Sequence, residues 1–253
     1  MASDTTMAAQ TSSSQISDIV ALSIKQNHLG ASSIKEGRFR DAIVHLTGGL
    51  QILKSLARNR VLREELPIDS RATSLLDTYM RWADADSGER EQNRKEEEPR
   101  KQASHICSRP IQISSIHTKR LDTLQTRDDI LAALLFNQAL AHHHWGAHQA
   151  GFDKELLLRK ALQLYHCSLQ MVAEKSCQQS LSGYVLTCLH NIGVVCLELK
   201  EPHHHAEEFF HHLTSRLMCL ADQGHPSASM FIYCFHNVLH RNLAGTNPVA
   251  AAA

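Results

Sequence analysis

The spacing of its apolar residues most constrains what this chain can fold into. Between 185 and 199 they fall at Val185, Leu189, Ile192, Cys196 and Leu199, in steps of 4, 3, 4 and 3 that draw one helical face. The same stripe recurs in 39–56 (Phe39, Ile43, Leu46, Leu50, Leu53) and in 157–172 (Leu157, Ala161, Tyr165, Leu169, Val172). It returns in 230–243 at Phe231, Cys234, Phe235, Val238 and Leu239. A further helix over Ser70 to Asp84 would bury Leu75, Leu76 and Tyr79, with Asp69 or Ser70 as its cap. Aromatic residues are only 5% of the chain, few for a sandwich or barrel. The expected class is all-α. One stretch reads as extended, "RPIQISSI" from Arg109 to Ile116, and it is too short to found a sheet.

The helical pattern repeats in pairs. Segments beginning at Asn27, Phe136 and His190 each place a small residue within a first helix: Gly30, Ala139 and Gly193. Each then has an alanine early in a second helix (Ala42, Ala161, Ala206) and a large apolar residue four positions on (Leu46, Tyr165, Phe210). A glycine inside a helix costs about 1 kcal/mol relative to alanine. Close approach of a second helix would offset that cost at Gly30 and Gly193. The expected arrangement sets the alanine of the second helix against the glycine, with the bulky residue filling the space one turn beyond.

This pattern resembles the tetratricopeptide repeat. "Asn191-Ile192-Gly193" matches the Asn-large-Gly element of that family's first helix, and "Asn137-Gln138-Ala139" and "His28-Leu29-Gly30" match it in part. "EGRFRDAIVHL" carries the turn glycine Gly37, the aromatic Phe39, then Ala42 and Leu46. The likeness covers about half the chain. No repeat ends in the expected proline. The distance from Gly30 to Ala139 far exceeds the family's period of about 34 residues. The second turn, near "HQAGFDKELL", carries extra residues. The resemblance therefore implies an irregular array of antiparallel helical hairpins, about three degenerate repeats, with Met230 to Leu243 as a C-terminal capping helix.

Composition sets the segments between. Residues 1–14 read as disordered, as does the charged run 84–104, whose only apolar residue type is Ala and which cannot bury enough surface to fold. That leaves 15–83 for the first hairpin and an added helix, 105–243 for the other two hairpins and the cap, and 244–253 as a disordered tail. The 26 basic and 26 acidic residues balance, so charge gives no pull toward nucleic acid or an anionic membrane, and weak self-association is expected. No run is apolar and long enough to span a bilayer. The N-terminal residues lack the pattern of a signal peptide. Seven cysteines without a Cys-x-x-Cys pair point to a reducing, intracellular and cytoplasmic setting rather than a disulfide scaffold.

Eighteen histidines raise the question of metal. Two pairs sit four apart, His144 with His148 and His236 with His240, but neither carries the His-Glu-x-x-His arrangement of a metalloprotease. They read as surface residues that touch nothing. His203, His204 and His205 fall where the repeat places its turn, and His211 and His212 face solvent beside the stripe Ala206, Phe210, Leu213. No cofactor or metal site is expected. Nucleophile elbows and phosphate-binding glycine loops are absent from the sequence, so no catalytic residue is assigned. Cys188 and Cys196 fall at packed positions rather than as reactive thiols.

In the tetratricopeptide family the first helices line a concave groove that binds other proteins. The resemblance places Asn27, Ala31 and Lys35 there from the first repeat, Phe136, Leu140 and His144 from the second, and His190, Val194 and Glu198 from the third. The set is mixed and fairly apolar. It implies a scaffold that takes a peptide or amphipathic helix of a partner protein. A neighbouring helix of the same chain, such as 70–84, could fill the groove instead. Two other readings remain: a histidine-rich metal- or pH-responsive protein, and an enzyme whose site appears only in three dimensions.

Overall fold

The computed structural model describes residues 3–58, 109–113, 124–173, 182–200 and 203–223. They form six helices and, among the described residues, no strand: α1 (Ser3–Lys35), α2 (Phe39–Arg58), α3 (Leu124–Ala147), α4 (Gly151–Ala173), α5 (Ser182–Glu198) and α6 (His203–Asp222). The expected helix at 70–84, the charged run 84–104, the capping helix Met230–Leu243 and the tail 244–253 lie outside the described residues. Two boundaries differ from expectation. Helix α1 begins at Ser3, so residues 3–14 are helical; no glycine or proline interrupts the chain from there to Leu29. Helix α6 begins at His203, which puts His203–His205 in its first turn rather than in the connection before it.

Each helix packs against the next in sequence, and α1 also reaches α3. The core runs without a break through all six, from Val20 and Leu46 through Phe136 and Tyr165 to Ile192, Phe210 and Leu217. The tight places are where the sequence puts glycine. A Cβ added to Gly30 would lie 2.5 Å from Leu46 Cγ, and one added to Gly193 would lie 2.6 Å from Phe210 Cζ. The close approach is therefore made by the large residue, not by the alanine one turn earlier; Ala42 and Ala206 are buried beside it. The structure adds a third contact of this kind between helices of different pairs. A Cβ on Gly49 of α2 would meet Leu134 Cδ2 of α3 at 2.8 Å.

The turns have local causes. After α1 the amide of Arg38 donates to Ser33 O (2.8 Å) and that of Gly37 to Ile34 O (3.0 Å), with Gly37 at φ 74°. These paired bonds define a Schellman close, which needs a residue in the left-handed region. At the end of α5 the corresponding residue is Lys200, at φ 55°, although it is not a glycine.

Candidate functional site

The segment Arg109–Ile113, neither helix nor strand, lies against α1 and α3 and is held there through its backbone. The Ile111 amide donates to Asn137 Oδ1 at 2.7 Å. The Ile111 carbonyl accepts from Asn27 Nδ2 at 2.8 Å and from Asn137 Nδ2 at 2.6 Å. Asn137 Nδ2 also donates to Asn27 Oδ1 at 2.8 Å, which ties the two side chains together. Two residues on, the Ile113 carbonyl accepts from His28 Nε2. A carbonyl can only accept, so that ring nitrogen carries the proton.

Burial follows the two-residue period of an extended chain. Ile111 and Ile113 are buried, Gln112 between them is half-buried, and Arg109 is exposed. Pro110 restricts the residue before it to extended backbone, which prepares the segment for this geometry. Asn27 and Asn137 are fully buried, and amides so placed must be hydrogen-bonded. One extended residue, Ile111, supplies partners to both.

The other residues expected to line a groove are mostly consumed by packing. Ala31, Phe136, Leu140, His190 and Val194 are buried. Phe136 sits with its ring centroid 5.6 Å from that of Tyr165 and 5.7 Å from that of Tyr184. Lys35 is exposed and lies in the last turn of α1. His144 does not touch nothing, as the sequence implied. It stacks on Phe39 with centroids 5.7 Å apart and planes 9° apart, and His148 packs on the same ring at 5.7 Å. Its neighbour in this contact is the first residue of α2, so the expected aromatic of the second helix holds successive pairs together. Glu198 is engaged by α3 and α4. Its Oε1 lies 3.4 Å from Nε2 of the fully buried His143, and its Oε2 lies 3.6 Å from Lys154 Nζ.

Titration behaviour follows from these surroundings. Burial pushes His142 down to about 4, helped by Lys160, and pushes His144 down to about 4, helped by His143 and His148. Burial alone would raise Glu198, but His143 and Lys154 outweigh it and hold the carboxyl below its usual range. Cys188 is buried, and that burial pushes its thiol far up, so it is no nucleophile at neutral pH. Among the described residues no three His, Cys, Asp or Glu side chains are grouped to hold a metal ion, and no helix is long and apolar enough to cross a membrane.

Sequence reasoning named Asn27 and missed His28 and Asn137 as contacts. The signal was present. His28, Asn137 and Asn191 each lie two residues before a small residue of their helix: Gly30, Ala139 and Gly193. The first two hold the extended segment, and Asn191 Nδ2 instead donates to Tyr165 OH at 3.2 Å. No family model, curated protein or solved structure matches the chain.

Proposed function

We propose that the protein is a tetratricopeptide-like interaction scaffold. In this reading α1–α2, α3–α4 and α5–α6 are antiparallel hairpins of an irregular array, and their first helices form a surface that engages a partner protein. The observation that carries it is the clasp of an extended backbone by Asn27 and Asn137 from two successive first helices. Surfaces that bind main-chain groups in this way can take peptides of many sequences, with flanking pockets adding preference. Lys35, exposed at the end of α1, is an expected contact that a partner could reach directly. The reading is one of binding rather than catalysis, in a reducing cytoplasmic setting.

The test is affinity capture from native extract with the full-length chain as bait, wild type against the Asn27→Ala, Asn137→Ala variant. A defined protein should be recovered stoichiometrically by wild type and lost with the variant, while helical circular dichroism is retained. Recovery of no protein above a scrambled-sequence bait would contradict the reading. One observation favours a second, pH-responsive role: His142 and His144 are held neutral in the fold by burial.

A further inference from the structure

We infer that Arg109–Ile113 is an internal stand-in for the partner, and that the groove between α1 and α3 takes an extended peptide with branched apolar residues at alternate positions. This rests on the scaffold reading and specifies the ligand for it. Three features of the contact carry the inference. First, the hydrogen bonds to the two isoleucines go to their backbone: Asn27, Asn137 and His28 address the N–H and C=O of Ile111 and the C=O of Ile113. Any extended residue other than proline can supply those groups, so these hydrogen bonds do not require an isoleucine. Second, the fully buried side chains of the segment stand at alternate positions: Ile111 and Ile113 are buried and Gln112 between them is not fully so. A peptide with Ile, Val or Leu at positions i and i+2 would present the same face. Third, the clasp cannot stand empty cheaply. Both asparagines are fully buried, and losing the segment would remove their bonds to Ile111 and leave them only the one to each other. An incoming peptide would exchange with the resident one, group for group.

The segment has a competitive advantage because it is part of the chain. Ten positions of sequence, 114–123, separate it from the start of α3 at Leu124. A short tether gives an effective concentration on the order of millimolar. With a micromolar intrinsic affinity shared by the resident segment and an outside peptide, the outside peptide would then bind wild type about 1,000-fold more weakly than it binds a chain whose own segment has been disabled. Pro110 adds to the resident's hold by restricting the unbound chain. The partner would thus need either a high local concentration or a better apolar fit.

The experiment uses the full chain and a fluorescein-labelled peptide of sequence SRPIQISSI, copied from residues 108–116. Binding is read by fluorescence anisotropy for wild type, for Ile111→Ser with Ile113→Ser, and for that double variant carrying Asn137→Ala. The expected result is at least tenfold tighter binding by the double variant than by wild type. Adding Asn137→Ala should then weaken it about tenfold or more. A peptide with serine at both isoleucine positions should not bind. Circular dichroism accompanies each protein. If the double variant keeps its helices yet binds no more tightly than wild type, the inference is overturned. If it loses its helices and the added peptide does not restore them, the segment is a fixed part of the core and the inference is likewise overturned; restoration by the peptide supports it. Failure here with partner capture intact leaves the scaffold reading standing on another surface, whereas loss of capture removes that reading itself.

Discussion

At the residue scale, the information lies in glycines and buried polar groups rather than in the many reactive side chains. Gly30 illustrates the balance. Replacing it by alanine gains about 1 kcal/mol of helix propensity. The new Cβ, however, would fall 2.5 Å from Leu46 Cγ, and Leu46 is fully buried with no room to retreat. Gly30→Ala should therefore lose about 1–2 kcal/mol net, and Gly193→Leu about 3 kcal/mol or more, in urea unfolding. His211→Ala, at an exposed position, should change stability by less than about 0.5 kcal/mol. The histidines set the response to acid. His142 and His144 have folded pKa values depressed to about 4, so the stability they carry is complete above their unfolded value near 6.5 and is lost as pH falls toward 4. Each should cost up to about 2 kcal/mol by pH 5. Glu198, also depressed, adds a further loss below the ordinary carboxylate range. The melting temperature should fall steadily from pH 7 to pH 5, and His144→Phe should flatten that fall; a pH-independent melting temperature would show that these rings are not held neutral by the fold.

At the element scale, helix ends test the local reading. Gly37 occupies the left-handed position of the Schellman close after α1, so Gly37→Ala should cost about 1 kcal/mol. Lys200 occupies the left-handed position after α5 without being glycine, so Lys200→Gly should gain up to about 1 kcal/mol, read as a higher melting temperature. The helices themselves were largely legible. The stripes through Leu46, Tyr165 and Ile192 mark α2, α4 and α5 because a helix facing one core repeats its apolar residues every three to four positions. The start of α1 was not legible. Its first residues, Ser, Thr, Ala and Gln, form no stripe, so only the absence of helix breakers spoke for it. Nor could the sequence separate Leu46 from Ala42 as the residue against Gly30, since both lie on the same face and only the packing distance decides.

At the scale of the whole molecule, one core joins six helices and an extended segment lies across two of them. The sequence marked "RPIQI" as extended and Asn27 as a surface residue of a groove, but gave no reason to connect them. Their separation of 84 positions and the buried amide pair with Asn137 emerge only from packing. His144 and Phe136 make packing contacts that their residue types did not announce. Their types suit a binding face and suit a core equally; Phe136 lies in the core against Tyr165 and Tyr184, and His144 is half-buried against Phe39. The measurement that bears most directly on the backbone clasp is residue-resolved amide hydrogen exchange at Ile111. Its N–H is bonded to a fully buried Asn137, so it should exchange at least about 100-fold more slowly than in the free SRPIQISSI peptide, and Asn137→Ala should abolish that protection while the α3 amides keep theirs. Exchange of Ile111 at the free-peptide rate in the wild-type chain would contradict the clasp.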